Sequence, residues 1–314
     1  MRKNHIKSTL LLMFLISCLG ISSAQDVVTD LSEFQISFIS KHDGNTDIYV
    51  MDVDGSNQTL LPSLGDDTRN PSWSPDGRQL AYVADDMGNA EIYVVDIDCK
   101  QITTDCIQRP LNIAQTSSDD AEPSWSPDGS KITFRSGNED LIWNIFIYDV
   151  EEANLGQLDS EFNNFAPSWS PDGTQIAIQT LRDDNWEIYI IDEDGSNPVR
   201  LTNDSSFDYR PTWSPDGSMI AFETFRDGNW EIYVIDLTCD ISEAFCGVNL
   251  TNDEADDGGA AWSPDSSKIA FTSNRDGNFD IYTMNPDGSD IMRLTESEWD
   301  DIEPTWRNYQ EENE

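Results

Sequence analysis

The sequence predicts an all-β fold, a six-bladed β-propeller closed by pairing of its N-terminal and C-terminal strands in one blade. Three observations predict it. A tryptophan recurs at 73, 125, 169, 213, 262 and 306, with spacings of 52, 44, 44, 49 and 44 residues. A strand-rich period near 44 is that of a propeller blade. Around these tryptophans the string Ser-Trp-Ser-Pro-Asp-Gly starts at Ser72, Ser124 and Ser168, with close variants at Trp213 and Trp262 and a truncated copy, Pro304-Thr305-Trp306. The two ends of the repeat region are also complementary. It enters at a second strand, Ile36 to Ile39, and leaves on a first strand at Trp306, so together they complete one blade and leave no sheet edge open.

Each repeat reads as four strands. The first is short and ends at the tryptophan. Ser-Pro-Asp-Gly then turns the chain, because proline presets φ and glycine tolerates a positive φ. The second strand is apolar, as in Leu80-Ala81-Tyr82 or Ile220-Ala221-Phe222. The third carries branched and aromatic residues on both faces, as in Ile92-Tyr93-Val94-Val95. That suits a sheet packed between two neighbours. The fourth, as in Val199 to Thr202, is weaker and lies outermost. No helix is expected within residues 36–306, and the acidic 307–314 read as a tail.

Residues 1–24 read as a secretory signal peptide. Arg2, Lys3 and Lys7 precede an apolar run from Leu10 to Ile16, and Ser22-Ser23-Ala24 offers small residues for cleavage. The run is too short for a permanent membrane span. Leu15-Ile16-Ser17-Cys18 also fits a lipobox, in which Cys18 would carry a lipid; both processing routes stand open. Residues 25–35 then form a linker. The exported chain is expected in the periplasm, on the cell surface or secreted.

Charge narrows the function. The chain holds 60 Asp and Glu against 18 Lys and Arg, a formal net charge of -42. It repels phosphate, which argues against nucleic acid as a partner. It also disfavours anionic membrane surfaces, leaving a lipid on Cys18 as the route to a membrane. Basic proteins and cations remain, and the charge also fits a salt adaptation. With two histidines, His5 and His42, a triad or a His-rich metal site is disfavoured. Motifs for nucleotide binding or a nucleophile elbow are absent.

The four remaining cysteines repeat in register. Cys99 and Cys106 lie 26 and 33 residues after Trp73, and Cys239 and Cys246 lie 26 and 33 after Trp213. This predicts disulfides Cys99–Cys106 and Cys239–Cys246 in the connection after the third strand, consistent with export.

Candidate binding residues follow from the repeat. Five residues before each tryptophan stand Thr68, Asp120, Asn164, Asp208, Asp257 and Asp301. First strands line a propeller channel, so Asp120, Asp208, Asp257 and Asp301 are expected to ring one mouth. There they would hold Ca²⁺ or a basic partner, or bond their own turns. Arg182, Arg226 and Arg275, in the loop after the second strand, face the same mouth and can pair with these acids. Just before the third strand stand Trp143, Trp186, Trp230 and Phe279, a candidate platform for a peptide or sugar. Packing against the next blade is the alternative. Asp52-Val53-Asp54-Gly55 and its relative at 192–195 lack calcium-loop spacing and read as hairpin turns.

These motifs, with Arg226-Asp227-Gly228-Asn229-Trp230-Glu231-Ile232-Tyr233 and Asp194-Gly195-Ser196-Asn197, resemble the WD40-like propeller repeats of the TolB family over residues 36–306. The resemblance implies an envelope protein that binds protein partners through its propeller. The N-terminal domain of TolB has no counterpart in residues 25–35, so a stand-alone propeller is expected. The combined expectation is a monomeric, non-enzymatic binding module with a protein or peptide partner bearing basic groups. A carbohydrate- or Ca²⁺-binding surface protein is the alternative, and a propeller hydrolase or lyase is disfavoured.

Overall fold

Blades 2 to 5 are organised by a Ser-Pro-Asp-Gly turn, and blade 6 by its variant Ser263-Pro264-Asp265-Ser266. In blade 3, Ser126 Oγ donates to Asp128 Oδ1 (2.7 Å) and accepts the Lys131 N–H (2.9 Å). The Ser130 N–H closes the turn on the same carboxylate at 3.0 Å. These bonds, led by that from Ser126, hold the Asp128 carboxyl down at about 2. Gly129 supplies the positive φ of +72°. Ser170 with Asp172 and Ser214 with Asp216 repeat the pattern.

The computed structural model describes residue 31 and residues 34–309, apart from 43, 63, 66, 87, 138–141, 159–161 and 240–244. The leader, with Cys18, and the tail beyond 309 lie outside the described residues. Among the described residues the chain forms six four-stranded sheets. Blade 1 is built from β1 (Phe34–His42), β2 (Asn45–Asp52), β3 (Thr59–Leu60) and the last strand, β24 (Asp300–Asn308). β24 pairs antiparallel with β1 from Phe34↔Asn308 to Lys41↔Asp300. The pairing runs past the expected boundaries of 36 and 306. Arg307 is therefore a fully buried strand residue and not part of an exposed tail.

The first strands of blades 2 to 6 are β4 (Arg69–Trp73), β8 (Asp120–Trp125), β12 (Asn164–Trp169), β16 (Asp208–Trp213) and β20 (Asp257–Trp262). Second and third strands bury their apolar residues between blades. Ala81 and Ile92 of blade 2, for example, pack with Trp125, Ile132 and Phe134 of blade 3. Burying one such phenylalanine is worth about 2–3 kcal/mol. The repeated indoles staple neighbours as well. Trp73 Nε1 donates to Ser37 Oγ of blade 1 (2.7 Å), and Trp306 Nε1 to Ala261 O of blade 6 (3.0 Å).

Each first strand carries one bulge, and the bulge positions the candidate site. The residue three before each tryptophan adopts a positive φ: Asn70, Glu122, Ala166, Arg210, Gly259 and Glu303, between +47° and +61°. Pairing slips by one residue there, as between Phe165 and Ser168. These six positions line the central channel, a cavity of about 220 Å³. The two positions that precede each bulge residue are re-aimed. Those five before the tryptophan turn into the blade, and those four before it lie on the rim between blades.

Both disulfides form, Cys99–Cys106 and Cys239–Cys246. A short 3-10 turn, Thr104–Cys106, sits in the first loop, where sequence reading expected no helix. No described helix is long and apolar enough to cross a membrane.

Candidate functional site

The four aspartates do not form a solvent-facing ring. Asp120, Asp208, Asp257 and Asp301 are at most 1% exposed, and Thr68 and Asn164 at most 2%. The reason is register. Each pairs with a second-strand residue that carries a hydroxyl: Asp120 with Ser136, Asp208 with Thr224, Asp257 with Ser273 and Asp301 with Ser40. Asp120 also accepts from Thr116 Oγ1 (3.0 Å) and Asp301 from Ser297 Oγ (3.0 Å). These carboxylates brace the rim from beneath and are closed to a partner. Among the described residues, no three His, Cys, Asp or Glu side chains converge as a metal site requires.

Burial raises the carboxyl pKa of all four. Arginines answer it in two blades. Arg226 Nη2 donates to Asp208 Oδ1 (2.9 Å), and Arg275 Nη2 to Asp257 Oδ1 (3.0 Å). Both also bond the paired hydroxyl, Thr224 at 3.1 Å and Ser273 at 2.8 Å. Arg182 faces Thr180 Oγ1 (3.4 Å) in blade 4, where Asn164 replaces the aspartate. All three guanidiniums also lie over rings, Arg226 at 4.7 Å from the Tyr233 centroid. They brace their blades from within while remaining partly exposed. In blade 3 burial, with Glu91 adding to it, pushes the Asp120 pKa to about 7.

The aromatic positions come together as an arc. Trp143 meets Phe165 at 5.9 Å between ring centroids, Phe165 meets Trp186 at 5.1 Å, Trp186 meets Tyr209 at 6.0 Å, and Tyr209 meets Trp230 at 5.3 Å. The residue before each third strand thus alternates with the residue four before the next tryptophan. Trp143, Trp186, Trp230 and Phe279 are half-buried, packed on the next blade yet open on one side. Two exposed rings extend the arc outward: Phe207, 49% exposed, on Tyr209, and Phe225, 44% exposed, on Trp230. In three blades the residue six before the tryptophan fixes the arc's backbone. Asn163, Asp256 and Asp300 accept the N–H of Trp143, Trp230 and Phe279 at 2.9, 3.2 and 3.1 Å.

Phe165, Tyr209, Phe207 and Phe225 escaped sequence reasoning. Beneath the arc, Arg210 Nη1 stands 3.6 Å from Glu223 and its Nη2 3.6 Å from Glu303. Glu303 Oε2 accepts the Asn70 N–H of the adjacent blade 2 (3.1 Å). Exposed contiguous aromatic surface of this kind is what protein and ligand contacts use. The channel mouth therefore offers apolar area over a charged, internally paired floor.

A family model described as the TolB beta propeller domain matches residues 32–155 and 123–246. No curated protein matches the chain. Among similar solved structures, TolB from Acinetobacter baumannii is 21% identical with a TM-score of 0.69, over 88% of this chain and 67% of that one. A putative TolB from Agrobacterium tumefaciens is 19% identical with a TM-score of 0.63, over 87% and 97%. An oligogalacturonate lyase from Vibrio parahaemolyticus is 15% identical with a TM-score of 0.55, over 83% and 74%. At these identities the likeness is one of fold, shared by TolB proteins and a lyase alike.

Proposed function

The chain belongs to the TolB beta-propeller domain family, and from that membership we propose an exported, non-enzymatic module that binds a protein partner on the aromatic rim of blades 3 to 6. The observation that supports this reading most is the unbroken arc from Trp143 to Trp230 with Phe207 and Phe225 exposed beside it. Aromatic side chains supply large contact area at low entropic cost and dominate interface energetics. A net charge of -42 favours a partner with basic groups. The non-enzymatic part is supported by the fate of the candidate acids, which are spent on internal hydroxyls and arginines. Export is supported by the leader-like N-terminus and the two disulfides. A closed ring of blades whose outer edge strands are only two to four residues long suits a monomer. Intact mass of the exported protein distinguishes cleavage after Ala24 from lipidation at Cys18.

The test is capture from an envelope extract by the exported chain and by Phe207→Ser with Phe225→Ser. Both rings are exposed, so the double variant is expected to fold. A partner retained by wild type and lost by the double variant is the expected result. Equal capture by both removes the rim from the interface.

A further inference from the structure

The arc has one vacant place. Phe165 fills the position between Trp143 and Trp186, and Tyr209 fills that between Trp186 and Trp230. The next position, between Trp230 and Phe279, belongs to Gly258 and holds no side chain. A cavity of about 490 Å³ opens there, with Trp230, Phe279, Glu223, Thr272 and Glu303 among its lining. Its floor is a carboxylate. A Cβ on Gly258 would sit 3.1 Å from Glu223 Cδ and Oε1 and 3.4 Å from Oε2. Glu223 is held in that pose by the Gly259 N–H, which donates to Oε1 at 2.5 Å, and by Arg210 Nη1, 3.6 Å from the same oxygen.

We propose that this slot receives the guanidinium of an arginine presented by the protein partner. The inference rests on the rim-binding reading above and names the chemistry that one place on the rim selects. Two aromatic walls over a carboxylate favour a cation above a neutral group. A planar fork fits where flat rings stand in the two preceding places, and it pairs with a carboxylate in two-point fashion. The molecule contains its own example. Arg135 lies 4.4 Å from the Trp143 centroid and 5.0 Å from that of Phe165, with its Nε 3.1 Å from Glu122 Oε2. Glu223, Glu303, Asp256 and Asp300 outnumber Arg210 and Lys41 around the slot. The acidity of the whole chain draws a basic segment towards it.

The experiment is a peptide-observed NMR titration of the exported chain with blocked Gly-Arg-Gly and its citrulline, lysine and phenylalanine counterparts. The arginine peptide should saturate. Citrulline, its neutral isostere, and phenylalanine should bind at least tenfold more weakly, and lysine at least threefold. Gly258→Tyr, which plants a ring in the slot, and Glu223→Gln, which keeps the shape and removes the charge, should each weaken arginine binding tenfold or more. If Gly258→Tyr does not fold, Glu223→Gln carries the comparison alone. Citrulline, lysine or phenylalanine binding as tightly as arginine overturns the proposal, as does arginine binding indifferent to Glu223→Gln. Envelope-partner capture that still depends on Phe207 and Phe225 in that event leaves the rim reading intact and removes the guanidinium slot.

Discussion

The guanidinium of Arg307 lies 4.4 Å above the Trp73 ring, joining the last strand of the chain to the first complete blade. It is fully buried, and protein carbonyls surround it. Nε donates to Gly77 O (2.8 Å), Nη2 to Ile97 O (2.8 Å) and Cys99 O (2.9 Å), and Nη1 to Gln35 Oε1 (3.0 Å). Burial brings its pKa down to about 10. Arg307→Met is expected to destabilise the ring by about 3 kcal/mol or more, since several buried carbonyls lose their donor together. Urea unfolding monitored by tryptophan fluorescence measures it. A change within 0.5 kcal/mol, the ordinary scatter of surface substitutions, contradicts a latch role.

Asp120 makes stability depend on pH. Its folded pKa of about 7 lies above the ordinary value of 3.8. The folded state therefore binds more protons between those values, and stability falls as pH rises through that window. Asp120→Asn removes the titration, and Asn164 already occupies the equivalent place in blade 4. The variant is expected to gain on the order of 1–3 kcal/mol over wild type at pH 8. The gain should vanish near pH 4. Chemical unfolding at both pH values checks it; a difference independent of pH rules out the titration.

Arg275 shows the opposite dependence. It pairs with Asp257 in a buried place, with Asp253 also 3.2 Å from Nη2. Arg275→Gln leaves that carboxylate unpaired, an expected loss of ~3 kcal/mol at pH 8. Burial raises the Asp257 pKa in any case, so acid neutralises it readily and the loss should shrink towards pH 4. Equal losses at both pH values indicate that packing of the arginine stem, and not its charge, is what Asp257 needs.

The disulfides close loops of sequence separation 7. Each should contribute at most about 2.5 kcal/mol by chain entropy. They lie in the connections from third to fourth strand, at the end opposite the aromatic arc. Reduction, or Cys239→Ser with Cys246→Ser, is expected to lower Tm by a few degrees while partner capture persists. Loss of capture with the fold intact would link the two ends of the ring.

The blades were legible because tryptophan and turn chemistry repeat together. Trp73 to Trp306 mark six first strands, and the matched Cys99 and Cys239 registers mark two loops. The rim was harder to read for a physical reason. A strand is expected to alternate faces, which puts the residues five and three before the tryptophan on one side. The bulge at Ala166 or Arg210 breaks that count. It buries Asp208 and brings Tyr209 to the surface arc, where alternation suggests the reverse. A signal was present: Asn70-Pro71, Glu122-Pro123, Ala166-Pro167, Arg210-Pro211 and Glu303-Pro304 recur at one register. Proline in a first strand marks an edge or a bulge. Gly258 was silent, because a vacancy is visible only once Phe165 and Tyr209 are seen to fill the places before it.

The most direct measurement is site-specific photo-crosslinking in the producing cell. A crosslinker is placed at Phe207 on the arc, at Phe225 beside it, and at Asn57 in a hairpin turn at the other end of the ring. An adduct to one discrete protein from Phe207 and Phe225, and none from Asn57, is the expected result. Adducts from Asn57 alone, or none from either phenylalanine, would contradict partner binding on the aromatic rim.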